Sequence, residues 1–262
     1  MGMLDMKITQ GMLNYWKKFI PNYQFSYYAL DNSLERTLYH PTIQFIGRSA
    51  FVSCSNLKSI NLPAATSIGN NAFASCNNLT SVNLPLVTNI GQSAFNTCSV
   101  LASVNLPLAT SIGSNTFYGC NNLTSIELPS ATSIGTYAFY GCTSLASVEL
   151  PLIIRIENSA FTNCTSLTNI ELPSITTIGP YAFSSCNKLT TVTLGSNLSS
   201  IGSGAFQGCT SLATINVIGD ENCLTAKTLA TLTPAQYNNA TIVYNYTPPS
   251  ENESENDSNG GE

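Results

Sequence analysis

Cys54, Cys76, Cys98, Cys120, Cys142, Cys164 and Cys186 follow one another at a single constant interval, and the step from Cys186 to Cys209 is longer by one position. Thiols can hold zinc, pair as disulfides or act as nucleophiles, so the spacing has to be tested against each chemistry. Equal intervals place the sulfurs in a line, whereas zinc needs ligands on the corners of a tetrahedron. Side chains in a line have parallel Cβ vectors, which bridge poorly, and nine cysteines in all leave one over. His40 is the only histidine, so no two-histidine metal site can form, and a Cys/His dyad would need a thiol outside the core. The glycine cluster "GSGAF" at 202–206 lacks the lysine of a phosphate loop and is read as a turn. The expectation is a column of buried, reduced thiols, with no catalytic residue, no cofactor and no metal.

A second set of reactive groups keeps the same interval. Glu127, Glu149 and Glu171 recur in step with the cysteines, and two positions before them stand Ser125, Ser147 and Asn169. If these glutamates stack on neighbouring strands, their like charges cost a few tenths of a kcal/mol or more. That cost points to a cation or a basic partner, and these six residues form the candidate ligand-binding set; the alternative is that solvent and salt screen the charges. Arg155 and Glu157, in the divergent stretch "PLIIRIENSAF", sit two positions apart on an extended segment and share a face. They either pair as a surface salt bridge or form a secondary contact site.

The elements that position these groups follow from the repeat. Phe51 through Phe183, Leu57 through Leu189 and Ile46 through Ile178 keep the cysteine interval, and Phe206, Leu212 and Ile201 follow the longer step. The unit reads L-x-x-[IV]-x-L-P-x-x-T-x-I-G-x-x-A-F-x-x-C-x-x. In "LTSIEL", Ile126 and Leu128 alternate with an outward Glu127, so this segment is a short strand that the next residue, Pro129, ends by offering no N–H. "TSIG" makes a second brief extended piece. "NAFASC" places Ala72, Phe73 and Cys76 on one side of a single helical or 3₁₀ turn. One repeat is one coil of a solenoid, with strand neighbours ~4.8 Å apart.

The pattern resembles the BspA-like class of leucine-rich repeats over residues 43–217, with "IGxxAFxxC" as its most specific part. Most units are one position shorter between Pro and Ile than the family unit, and "LGSNLSSIGSGAFQGC" restores the missing residue with Leu198. The resemblance implies an α/β, strand-rich fold: a right-handed leucine-rich repeat solenoid with a parallel β-sheet on one face, each coil 22 or 23 positions long. It also implies surface adhesion or protein contact rather than catalysis, and a cell-surface or extracellular location.

The chain divides into an aromatic-rich segment at 1–40, the repeat array at 41–217, a C-terminal cap at 218–246 and an acidic tail at 247–262. Residues 6–20 read as an amphipathic helix that either caps the first coil or docks to a larger assembly. "AKTLATLTPAQYNNATIVYNY" reads as a short helix, a turn and a closing strand. The tail has no apolar residue and is expected to be disordered. Five of the 14 acidic residues lie in it, so the remainder is balanced in charge and has no basic stripe for nucleic acid. No apolar run could span a bilayer, so no direct membrane insertion is expected, and the first residues have neither the order of a signal peptide nor a myristoylation pattern. The reading is a non-enzymatic module whose polar sheet face binds a protein or glycan ligand, its oligomeric state unspecified. The alternative is a structural part of a phage tail or surface appendage, docked through the N-terminal helix.

Overall fold

The computed structural model of the protein describes residues 37–39 and 41–248. The expected helix at 6–20, His40 and the acidic segment from residue 249 lie outside these residues. In chain order the first strands are β1 (Thr37–Tyr39), β2 (Phe45–Ile46), β3 (Ser59–Asn61), β4 (Ser67–Ile68), β5 (Ser81–Asn83) and β6 (Asn89–Ile90). They continue as β7 (Ser103–Asn105), β8 (Ser111–Ile112), β9 (Ser125–Glu127), β10 (Ser133–Ile134), β11 (Ser147–Glu149) and β12 (Arg155–Ile156). The last are β13 (Asn169–Leu172), β14 (Thr177–Ile178), β15 (Thr191–Leu194), β16 (Ser200–Ile201), β17 (Thr214–Val217) and β18 (Thr241–Val243). Every pairing among them is parallel, as a chain coiling in one sense requires.

The solenoid therefore carries β-structure on two faces. The two-residue strands make one continuous eight-stranded sheet from β2 to β16. The longer strands form three blocks, β1-β3-β5-β7, β9-β11 and β13-β15-β17-β18. Proline decides how long these strands run. Where Pro ends the unit, the strand stops at three residues in most coils; where Gly195 replaces it, the Gly195 N–H donates to Leu172 O at 3.0 Å and β15 extends to Leu194.

The third side of each coil is built from turns, and here the structure differs from the expected helical turn. Ala72, Phe73 and Cys76 do face the core, with no exposed surface. The backbone, however, enters the left-handed region two positions before and two positions after the phenylalanine, as at Asn71 (φ 56°) and Ser75 (φ 60°). These kinks swing N–H groups along the solenoid axis, so that Phe51 N donates to Ala72 O at 2.7 Å and Ser53 N to Ala74 O at 2.8 Å. A helix would satisfy those donors within the coil; the solenoid uses them to tie coil to coil. Asn and Gly at several of these positions visit the left-handed region at low cost, and small serines hold many of the others.

The core is a set of columns. Phe51, Phe73, Phe95, Phe117, Phe139, Phe161, Phe183 and Phe206 are fully buried, and their rings stack with centroids from 5.0 to 5.6 Å apart. Leucine and isoleucine columns line the rest, including Leu123, Ile126 and Leu128 as the alternation predicts. Beyond β17 the chain forms helix α1 (Leu224–Leu229), a 3₁₀ turn (Pro234–Tyr237) and then β18, which pairs with β17. Thr225 and Thr228 anchor α1 by hydrogen bonds to Gly195 and Leu198, around the extra residue of the longer coil.

Candidate binding surface

The eight column cysteines form no disulfide and are buried. Their role goes beyond filling space: from Cys76 onward, each thiol donates to the carbonyl oxygen of the phenylalanine one coil earlier. Cys76 Sγ reaches Phe51 O at 3.0 Å, Cys142 reaches Phe117 at 3.1 Å and Cys209 reaches Phe183 at 3.0 Å. Burial holds the thiols of Cys120, Cys142 and Cys164 well above the ordinary range. Cys76 and Cys186 are also raised, first by hydrogen bonding to the next thiol in the column and then by burial. A buried, protonated thiol is neither a nucleophile nor a metal ligand at neutral pH. Among the described residues no group of three or more His, Cys, Asp or Glu side chains is placed to hold a metal ion.

The six candidate residues are all exposed on the face of the longer strands, and the structure divides them. Glu127 and Glu149 pair in register on β9 and β11, as do Ser125 and Ser147. Glu171 and Asn169 lie on β13, across an interruption: β11 and β13 are not hydrogen-bonded to one another. Over this interruption lies a groove of about 460 Å³ lined by Ser147, Glu149, Asn169 and Glu171, floored by Val148 and Ile170 and edged by Pro151 and Pro173; a groove of similar volume, about 450 Å³, also covers the unbroken strands β3, β5 and β7, where the polar lining is serine and asparagine without a carboxylate. A third groove of about 340 Å³ lies at the other interruption, between β7 and β9, where Ser125 and Glu127 face Ser103 and Asn105. The equal spacing of the three glutamates implies an unbroken ladder; what exists is one paired step and one open step.

On the N-terminal side of the acidic grooves the same outward position holds asparagine. Asn83 Nδ2 donates to Asn61 Oδ1 at 2.9 Å, and Asn105 Nδ2 donates to Asn83 Oδ1 at 2.7 Å. An amide has both a donor and an acceptor, so it can pass a hydrogen bond from coil to coil. A carboxylate has only acceptors. The amide chain ends at Asn105, and the strand ladder is interrupted before Glu127, the next residue in that column.

Arg155 Nη1 lies 3.4 Å from Glu157 Oε1, both side chains well exposed, so these two residues form a surface pair. It is the one ion pair among the described residues. Neither Glu127, Glu149 nor Glu171 takes part in it.

Parallel strands on stacked coils, a phenylalanine column and a cysteine turn define a leucine-rich repeat solenoid. The sequence pattern of the BspA type leucine rich repeat region, in six copies, matches residues 18–131 and 110–229, and the chain belongs to that family. No curated protein matches the sequence. Among solved structures, the leucine-rich repeat protein of T. pallidum is 33% identical over 53% of this chain and 64% of its own, with a TM-score of 0.43. The chain thus spans less than two thirds of that protein. A leucine-rich cell surface protein of Faecalibacterium prausnitzii A2-165 is 21% identical over 81% of this chain and 88% of its own, with a TM-score of 0.48. The pneumococcal vaccine antigen PcpA is 17% identical over 78% and 72%, with a TM-score of 0.41. No helix among the described residues is long and apolar enough to cross a membrane.

Proposed function

We propose that this chain is a non-enzymatic binding module, acting at a cell surface, whose longer-strand face engages a protein or glycan ligand, with the contact centred on the groove between β11 and β13. Membership of the BspA type repeat family supports a protein-binding role. What supports the finer reading is the chemistry of the groove lining: Glu149 and Glu171 both line one groove, with Ser147 and Asn169 beside them. A lysine or arginine side chain entering the groove relieves the repulsion of two like charges and finds hydroxyl and amide partners on the way. Glu127 and Ser125 extend the acidic surface into the neighbouring groove, and Arg155 with Glu157, on the face of the two-residue strands, forms a secondary contact. Burial keeps the column thiols from acting as nucleophiles, and membership of a repeat family supports binding over catalysis.

The test compares the wild-type chain with the triple variant Glu127→Gln/Glu149→Gln/Glu171→Gln on an array of basic extracellular proteins and glycans. The substitution keeps shape and hydrogen bonding while removing charge. Signals that are salt-sensitive in the wild type and absent from the triple variant are expected. Identical array profiles, with the variant slightly more stable, would mean that the glutamates are a tolerated cost and not a site.

A further inference from the structure

The turn-built side of the solenoid carries a feature that the binding reading of the strand face does not use. Tyr118 and Tyr140 occupy the position after the core phenylalanine in consecutive coils and stack with centroids 5.0 Å apart and planes within 5°. Tyr137 meets Tyr140 edge-on at 5.8 Å and 74°, making a second wall. Asn163 Nδ2 donates to Tyr140 Oη at 3.3 Å. The three rings form a corner, partly open to solvent, on a molecule whose phenylalanine column already fills the core.

Two details set the corner apart from most other coils. Tyr137 is 41% exposed and sits at φ 57°, in a column otherwise occupied by Ser49, Asn71, Ser93, Asn115, Ser159 and Gly204, with Tyr181 the other exception. A bulky residue held in the left-handed region is strained, and such strain collects where a side chain has a binding task. Next to the two stacked rings, the second left-handed position of each coil is glycine, Gly119 and Gly141, whereas the two coils on either side place Ser75, Thr97, Asn163 and Ser185 there. Both glycines sit in the left-handed region, at φ 68° and 73°, which glycine adopts freely. Having no side chain, they add no cover beside the ring that precedes each, and the resulting shelf is open enough that a Cβ on Gly141 would meet no atom within 4 Å.

We infer that Tyr118, Tyr137 and Tyr140, with Gly119, Gly141 and Asn163, form a subsite for a neutral carbohydrate. Flat rings with open flanks stack against the C–H face of a pyranose, and phenol hydroxyls and an amide bind its hydroxyl groups. The left-handed columns and the tyrosine column carry hydroxyl, amide, aromatic and small residues and no charged side chain in any coil, so no charge there complements a phosphate or a carboxylate. This site lies on a different side of the coil from the glutamate grooves. It extends the binding-module reading and can fail or stand independently of the acidic site.

The experiment is saturation-transfer difference NMR on the full chain with cellotetraose, maltotetraose, xylotetraose and chitotetraose, and with tetragalacturonate as the charged control. At least one neutral tetrasaccharide is expected to receive saturation on its ring C–H protons, from the wild type and from Glu149→Gln/Glu171→Gln alike. Tyr118→Ala/Tyr140→Ala is expected to weaken that binding about tenfold. Gly141→Asn keeps a residue suited to the left-handed region, so it folds, and it is expected to weaken binding by covering the shelf. The inference is overturned if none of the four neutral sugars receives saturation, if only tetragalacturonate does, or if the folded Gly141→Asn chain binds as well as the wild type. A tyrosine corner that captures only protein partners overturns it equally.

Discussion

Cys142 donates its thiol hydrogen to the carbonyl oxygen of Phe117, 25 residues earlier, at 3.1 Å. That carbonyl also accepts the N–H of Cys120 within its own coil, at 3.1 Å. The second lone pair of a fully buried carbonyl would otherwise face apolar surroundings, and a thiol supplies a weak donor at little desolvation cost. Repeated along the array, this contact couples the cysteine column to the phenylalanine column and explains why the position holds cysteine and not alanine.

These thiols should react with a polar thiol reagent only after denaturation. Fast labelling of several of Cys54 to Cys209 in native buffer, read by mass spectrometry, would contradict their burial. The same burial sets a pH dependence. The native state keeps protons on Cys120, Cys142 and Cys164 that the unfolded chain begins to release near pH ~8.5, because their folded values are raised. Stability from these groups is therefore fully present below that pH and falls as the pH rises above it. Urea midpoints under reducing conditions should drop in alkali, and the drop should shrink in Cys142→Ala/Cys164→Ala.

Phe139 stacks between Phe117 at 5.2 Å and Phe161 at 5.0 Å. Phe139→Ala should cost ~3 to 5 kcal/mol, because the coils on both sides limit collapse of the cavity. A loss below about 1 kcal/mol in chemical denaturation would show that the column does not carry the core.

Gly135 lets two coils approach closely: a Cβ there would lie 2.8 Å from Ser114 N and 2.9 Å from Gly113 C. Backbone cannot move aside as a side chain can, so Gly135→Ala should destabilise by ~1 to 3 kcal/mol. Gly141→Asn, with open space and a left-handed backbone, should stay within about 0.5 kcal/mol of wild type. Equal effects in thermal denaturation would contradict the packing.

Asn83 both gives and receives in the amide ladder. Asn83→Asp removes the donor and sets acceptor against acceptor at Asn61, so it should cost about 1 kcal/mol at neutral pH. Unchanged stability would mean that water replaces the ladder without loss.

Much of this molecule was legible in its sequence, and the reason is geometric. A residue type that returns at a fixed interval must return to the same place on each coil, so Phe73, Cys76, Ile68 and Leu79 identify themselves as core and Glu127 as surface by periodicity and alternation alone. Proline at 129 marks the strand end because it lacks a donor, whatever surrounds it. The tertiary structure decided what depends on the offset and orientation of one coil against the next. Left-handed kinks at Asn71 and Ser75, in place of a helical turn, exist because alternate N–H groups, those of Asn71, Phe73 and Ser75, find partners in the following coil at Gln92, Ala94 and Asn96. Likewise the sequence places Glu127, Glu149 and Glu171 at equal intervals, but which adjacent strands close and which part depends on how each coil is set against the next: Glu127 and Glu149 pair in register, whereas Asn105 and Glu127 do not. Periodicity states where each residue returns; only the packed stack determines whether its neighbour is near enough to bond.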